Sequence, residues 1–248
     1  MSGSVASFRF YEELNDFLAV GRRKRTFEYL FNGKPAVKDA IESLGVPHTE
    51  VDLILANGES VGFDYRLRDG DRIAVYPVFE ALDISPIVRL RAQPLRRSRF
   101  VLDVHLGKLV RLLRMLGFDS LYRNDYSDRE IITVSSKERR IILTRDHRLL
   151  FAKVVTRGYW IRLTEPESQC REVLERFDLR SQIKPFSRCL QCNGAIEPVE
   201  KSRIIDRLEP KTKQYFDRFY RCSRCGKLYW KGGHFGRMVQ TLARLRRK

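Results

Sequence analysis

Four of the five cysteines fall in two Cys-x-x-Cys pairs, Cys189-Leu190-Gln191-Cys192 and Cys222-Ser223-Arg224-Cys225. Four thiolates can close a tetrahedral zinc site only if the 29 residues between the pairs fold back on themselves. That span is longer than a minimal ribbon needs, so a small hairpin must bulge from it. Four sulfurs leave no open coordination position. The zinc is therefore expected to fold this segment rather than catalyse. In a reducing compartment such pairs read as metal ligands and not as disulfides. The fifth cysteine, Cys170, shares a helical stripe with Val173, Leu174 and Phe177 and reads as a small buried apolar residue.

A second constraint lies upstream. Phe100-Val101-Leu102-Asp103 and Ile141-Ile142-Leu143-Thr144-Arg145-Asp146 are apolar runs of strand length that end in carboxylates. Between them, Leu106, Leu109, Val110, Leu113 and Leu116 recur at helical spacing up to Gly117. Ser120–Tyr122 reads as a short strand, and Ser127-Asp128-Arg129-Glu130 opens a further helix. If both runs are parallel strands of one sheet, Asp103 and Asp146 lie at its carboxyl edge, where open α/β sheets build their sites. Asp128 adds a third carboxylate, and such oxygen sets hold hard cations such as Mg²⁺ or Mn²⁺. Each acid also has a plain role available. Asp128 suits a helix first turn, and Ser127 with Glu130 fits a capping box. A like-charged trio predicts that Asn at any of the three leaves metal-free stability unchanged or slightly higher. Tyr159–Leu163 reads as another strand, and Glu167–Phe177 as a helix.

Charge separates the chain into parts. Residues 1–80 carry 10 basic and 13 acidic side chains, and residues 201–248 carry 15 and 3. The basic end points to a polyanion, most simply nucleic acid, and a metal site on such a chain points to a phosphodiester. No apolar run approaches the ~20 residues of a membrane span, and the first residues lack a signal-peptide layout. The expected location is cytoplasmic, with no membrane partner.

Residues 5–80 read as a small mixed domain. Ala6–Tyr11 and Arg25–Phe31 alternate as strands, Ala36–Leu44 carries a helical stripe that Gly45 stops, and Val51–Leu55 and Arg72–Tyr76 are strands. Asn57-Gly58 is a tight-turn signal. The order resembles the β-grasp (ubiquitin-like) fold of sulfur carriers. Those end in an exposed Gly-Gly, whereas this chain continues through Pro77-Val78-Phe79-Glu80, so a binding or scaffolding module with an unknown protein partner is expected. Residues 81–99 form a basic linker, with Arg89, Arg91, Arg96, Arg97 and Arg99 offered either to solvent or to a phosphate backbone.

Lys108, Arg111 and Arg114 recur at i, i+3 and i+6 on one helix face beside the carboxylates, a candidate phosphate clamp. Arg145 adds to it. After the second cysteine pair, Lys227, Trp230, His234 and Arg237 mix cations with aromatic faces, as single-strand binders do. Packing within a small ribbon core is the alternative for Tyr229 and Trp230.

Taken together, residues 100–109, 113–119 and 143–146, with both knuckles and the Lys-Leu-Tyr-Trp that ends at Trp230, resemble the RNase family named after the C-terminal domain of the exonuclease Mut-seven. The resemblance implies a PIN-like three-layer α/β domain with a parallel sheet over 100–182. A β-grasp domain precedes it, and a zinc ribbon over 186–240 follows, with a basic tail to 248. It implies a metal-dependent ribonuclease with Asp103, Asp128 and Asp146 as catalytic and Mg/Mn-binding residues. Cys189, Cys192, Cys222 and Cys225 would hold structural Zn. The substrate would be RNA, with tRNA or ribosome-associated RNA among the candidates. Where such nucleases carry a fourth acid, this chain reads His147-Arg148-Leu149, and Asp125 and Glu130 are the substitutes at hand. The alternative is a non-catalytic RNA- or ribosome-binding adaptor that uses the ribbon and tail.

Overall fold

A computed structural model describes residues 3–77 and 98–246. In chain order these form β1 (Ser4–Phe10), β2 (Phe27–Phe31), α1 (Val37–Ser43), β3 (Val51–Ala56), β4 (Glu59–Val61) and β5 (Arg72–Pro77). Then come β6 (Arg99–Leu102), α2 (Gly107–Met115), β7 (Asp119–Leu121), α3 (Asp128–Glu138), β8 (Ile141–Thr144), β9 (Gly158–Trp160) and α4 (Pro166–Arg176). The chain closes with β10 (Ile196–Val199), α5 (Pro210–Tyr215), β11 (Phe219–Cys222), β12 (Leu228–Tyr229) and α6 (Phe235–Arg246). Two compact units result. One holds the N-terminal residues with Asp146–Trp160, and the other holds Ser98–Arg145 with the chain from Ile161 onward. The expected 100–182 body is thus divided between them. The linker arginines 89, 91, 96 and 97 lie outside the described residues.

The first unit is a β-grasp. Its sheet runs β2-β1-β5-β3-β4, with β1 antiparallel to β2, parallel to β5, and β5 antiparallel to β3. The alternation along β1 buries Ala6, Phe8 and Phe10 on one face, against Ile41 of α1 and Ile54 and Val75 of the sheet. β4 is a strand that the pattern does not announce. It is only three residues long, joined to β3 across Asn57-Gly58. Both turn residues have positive φ, 56° and 93°, as a type I′ hairpin requires. The segment 146–160 adds buried Leu149, Leu150, Val155 and Tyr159 to this unit. The Trp160 N–H donates to Glu50 Oε1 at 2.8 Å.

In the second unit β6 lies between β7 and β8, parallel to both. Phe100 pairs with Ser120 on one side and Ile141 on the other. β8 is buried along its whole length, as a strand covered on both faces must be. The helix after β6 starts later than its apolar stripe suggests, because a 3-10 turn at Val104–Leu106 precedes α2. The expected capping box forms. The Ser127 hydroxyl accepts from Glu130 N–H, and the Glu130 carboxylate accepts from Ser127 N–H at 2.9 Å. Cys170 is fully buried on α4. The strand expected over 159–163 ends at Trp160. The Ile161 N–H donates to Thr144 O at 2.8 Å before the chain turns into α4. Beyond α4, β10-β11-β12 form an antiparallel ribbon. The bulge between its knuckles is larger than a hairpin. It holds two 3-10 turns and α5, packed over Ile204, Leu208 and Phe219. Residues 235–246 are not a free tail. They form α6, whose Leu242 and Leu245 are buried.

Candidate functional site

Asp103 follows the last residue of β6, so the parallel pairing fixes its place beside the end of β8. Its N–H donates to Leu143 O at 3.1 Å. The side chain is 5% exposed. Its Oδ2 accepts from the Thr144 hydroxyl at 2.5 Å and the Arg145 N–H at 2.6 Å, and Oδ1 accepts from the His105 N–H at 2.9 Å. All three donors are neutral, and no ion pair reaches Asp103 among the described residues. Burying a carboxylate without a cation is costly unless donors or a metal offset it. Oδ1, with one donor, keeps acceptor capacity that a cation can use.

Asp128 is exposed at the first position of α3. Asp146 caps the 3-10 turn His147–Phe151, and Arg148 holds both its oxygens through N–H and guanidinium, at 3.0–3.1 Å. The guanidinium of Arg148 also keeps the Asp146 carboxyl below its ordinary range. Asp125 and Glu130, the acids available for a fourth position, are both engaged in the free chain. Arg123 pairs with both, at 2.9 and 3.1 Å, and Glu130 is further committed to the capping box. Among the described residues, the four cysteines are the one group of three or more His, Cys, Asp or Glu that could hold a single ion. Asp103 and Asp128 belong to the second unit and Asp146 to the first.

The cysteine site is built closely. The four sulfurs lie within 4.8 Å of one another. Cys189 and Cys225 are 3.7 Å apart, Cys192 and Cys222 3.4 Å. Tetrahedral zinc–thiolate bonds of ~2.3 Å place sulfurs about 3.8 Å apart, so the set fits one zinc. Gly194 permits this approach, since a Cβ there would stand 2.8 Å from the Cys222 sulfur. Burial disfavours the Cys189 thiolate, but the Tyr229 hydroxyl, 3.0 Å away, and the knuckle N–H groups outweigh it and bring the thiol down to about 6. Cys192 is pushed up to about 12, by burial first and then by its sulfur neighbours. A divalent cation would relieve that crowding of thiolates.

The basic residues sort differently from expectation. Lys108 and Arg111 are exposed on α2. Arg114 is not part of a phosphate clamp. It is 4% exposed, donates Nε to Ser120 O at 2.9 Å, and donates Nη1 to Leu190 O and Gln191 O at 3.1 and 2.9 Å. The helix turns it inward because i+6 lies 240° around from Lys108, toward the first knuckle. Arg145 likewise points Nη1 at the carbonyls of Ile161, Arg162 and Leu163. Lys227 is exposed and reaches Gln191 Oε1 at 3.4 Å. Trp230 is 38% exposed. His234 and Arg237 are exposed and bond each other, Nδ1 to Nη2, at 2.5 Å. Arg99 of the linker donates to Glu138 O at 2.6 Å, at the start of β6.

Comparison with known proteins decides the family. The Mut7-C RNAse domain matches residues 98–242, more than half of the chain. The chain belongs to the Mut7-C RNAse domain family. The Mut7-C ubiquitin domain matches residues 3–83. Two crystal structures from Haloferax volcanii also match, both of small archaeal modifier protein 1. One is 21% identical and covers 30% of this chain and 98% of its own, with a TM-score of 0.25. The other is 19% identical and covers 32% and 99%, with a TM-score of 0.26. No curated protein sequence matches. The Mut7-C RNAse domain gives the chain a nuclease-type function in general, the cysteine cluster can hold a metal such as zinc, and no helix among the described residues is long and apolar enough to cross a membrane.

Sequence reasoning missed the residues that join the Mut7-C sheet to the ribbon. Asp119, at the start of β7, accepts from Arg140 Nη1 and from Asn193 Nδ2, each at 2.7 Å. Burial raises the Asp119 carboxyl, but Arg140 and Asn193 more than offset this, and it stays below its ordinary range. Asn193 also accepts from Ser120 N–H at 3.0 Å. Its position directly after Cys192 was the one available signal.

Proposed function

We propose that the chain is a metal-dependent ribonuclease that hydrolyses RNA phosphodiesters, with Asp103 as the central residue. The observation that carries this is Asp103 itself. A buried carboxylate at the carboxyl edge of a parallel sheet, with neutral donors, no cationic partner among the described residues and acceptor capacity left on Oδ1, suits a hard cation. Asp128 and Asp146 would complete the ligand set, the first already exposed, the second released from Arg148. A bound Mg²⁺ or Mn²⁺ would supply positive charge to the phosphodiester transition state.

The chain's own groups have definite tasks. Thr144 and the N–H groups of His105 and Arg145 hold the Asp103 carboxylate in one orientation. Lys108 and Arg111 would seat the RNA backbone. The ribbon, folded by zinc at its four cysteines, would bind the strand beyond the cut. In this reading 100–182 is the nuclease body, 186–240 the ribbon and 5–80 a docking module for a protein partner, in the cytoplasm. The adaptor alternative has one observation on its side, the Arg148 clamp on Asp146.

Cleavage of mixed cellular RNA with Mn²⁺ tests this. Asp128→Asn should lose activity by orders of magnitude, as for loss of a charge-stabilising group worth several kcal/mol. Because Asp128 is exposed, its melting temperature should stay unchanged. Asp103→Asn should lose activity as well, but it should also cost about 1–3 kcal/mol of stability, since an amide cannot accept from all three donors. This reverses the expectation from charge repulsion alone. Wild-type cleavage by both variants would leave the adaptor reading.

A further inference from the structure

Beside the four-cysteine site lies a cavity of about 260 Å³ whose walls combine five aromatic rings, Phe186, Tyr220, Tyr229, Trp230 and Phe235, with aliphatic side chains and the cations Arg188 and Lys231. Its walls come from all parts of the ribbon. Tyr220 and Tyr229 are a cross-strand pair of β11 and β12. Phe235 opens α6, and its ring lies 5.1 Å from that of Phe186. Lys231 Nζ stands 5.6 Å from the Phe235 ring centroid, so positive charge already faces the aromatic surface.

Three features show that the cavity is built. Phe186 has a φ of 59°, a left-handed conformation that an L-residue adopts at a cost. Its N–H, donating to Met115 O at 2.8 Å, holds it there with the ring against Phe235. Tyr229 is fixed by its hydroxyl on Cys189, so one wall is tied to the metal site. Trp230 remains 38% exposed although the core of Ile204, Leu208 and Phe219 adjoins it, with the Phe219 ring 6.3 Å away. The indole is therefore not simply core.

We propose that this cavity holds one unstacked nucleobase of a single-stranded RNA, a proposal that rests on the ribonuclease reading. The aromatic rings in its walls offer a flat π-system faces to stack on. The volume lies below the ~300–1,000 Å³ of sites for larger ligands, which suits a single ring system. Charge complementarity selects a polyanion: residues 201–248 carry 15 basic and 3 acidic side chains, and Arg188 and Lys231 line the cavity itself.

The test is equilibrium binding to the zinc-loaded full chain, without added Mg²⁺ or Mn²⁺. The probes are a labelled single-stranded RNA hexamer and its six variants with one abasic residue each. Trp230→Ala should weaken the parent hexamer about 5- to 100-fold, the range for one base on an aromatic face, and Trp230→Phe should weaken it less. One abasic position should reproduce that loss in the wild type and add nothing in Trp230→Ala. The salt dependence should not change, because every phosphate keeps its cationic partner. Gly232→Ala gives an independent route, since a Cβ there would stand 2.7 Å from the Trp230 indole nitrogen and displace the ring. It too should weaken the parent more than the matching abasic probe. Unchanged affinity in Trp230→Ala, or equal losses for the parent and every abasic probe, overturns the proposal. So does loss of self-association in sedimentation with RNA affinity intact, which would make a second copy the occupant. Base-dependent binding without Mn²⁺-dependent cleavage would instead sink the ribonuclease reading and leave the cavity proposal standing.

Discussion

In the β-grasp, Phe8, Phe10, Leu14, Ile41, Ile54 and Val75 belong to one continuous buried cluster. In the ribbon the cluster of buried residues is Ile204, Leu208 and Phe219, with Val199, Phe216 and Leu228 partly buried against it. At ~25 cal/mol per Å², so small a cluster cannot offset the ordering of some fifty residues. The ribbon needs another source of stability, and a metal held by its four sulfurs would provide it. The grasp folds by withdrawing surface from water. The ribbon rests on the sheet through Arg114 and Asn193, and its cysteine cluster can hold a metal.

The largest effect that could break this contrast is removal of the ribbon's metal. The purified chain should hold about one zinc, and Cys222→Ser or a strong chelator should expose the amides of residues 186–235 to hydrogen exchange. Structural zinc contributes ~10–16 kcal/mol in small fingers, so loss should be complete rather than graded. The amides of β1 and β3 should stay protected. Protection that survives in both regions would mean the ribbon folds by packing alone.

Next in size is Phe8→Ala, which should cost about 3–5 kcal/mol in the grasp. Measured by exchange at β1 with and without chelator, the cost should be the same. A chelator-dependent cost would mean that the grasp also leans on the metal.

A smaller effect sharpens the contrast at the ribbon's footing. Burial pushes the Arg114 pKa down while nearby Cys189 and Cys192 thiolates and Asp119 pull it up, yet the cation remains and donates to three carbonyls. Arg114→Met keeps the bulk and leaves Leu190 O and Gln191 O unpaired. We expect a loss of about 1.5–3 kcal/mol and faster zinc release to a chelator. The salt slope of RNA binding should not move. Ala at Lys108 or Arg111 should instead lower it by roughly 0.7 for each single-strand phosphate that is no longer neutralised. A shallower slope in Arg114→Met would restore Arg114 to the phosphate clamp.

The contrast also explains what could be read in the sequence. Local rules announce themselves. Asn57-Gly58 demanded a turn with positive φ, Ser127 and Glu130 a capping box, and the cysteine spacing a four-sulfur site. Asp103 was visible because a carboxylate ends an apolar run. What stayed hidden is long-range and polar. Arg114 and Arg140 each sit at helix or strand ends among other arginines, and nothing periodic distinguishes a buried cation from a solvated one. Asp119, Arg140 and Asn193 meet across separations of 21 and 74 residues. The 3-10 turns carry too few residues for any periodicity to show.

The smallest effect concerns the C-terminal helix. Its arginines suggested a basic tail offered to a polyanion, but Leu242 and Leu245 are buried and Arg180 Nη1 donates to Leu245 O at 3.1 Å. Arg244 is also engaged, with Nε at 3.0 Å and Nη2 at 2.5 Å from the Glu167 carboxylate of α4. The Arg244 side chain is half exposed, so solvent and salt screen the pair, and Arg244→Ala should cost little stability. Leu245→Ala should cost about 2–5 kcal/mol, so burial rather than charge docks this helix. The pair has a pH signature. Arg244 holds the Glu167 carboxyl below its ordinary range. Its contribution is therefore full above the unfolded glutamate pKa of ~4.3 and is lost as pH falls through the lower folded value. Wild type and Arg244→Ala should differ slightly at neutral pH in low salt, and should converge in acid or in high salt. A loss for Arg244→Ala as large as for Leu245→Ala would place α6 with the ion-held ribbon. A loss confined to low salt places it with the grasp, as an element held by the surface it withdraws from water.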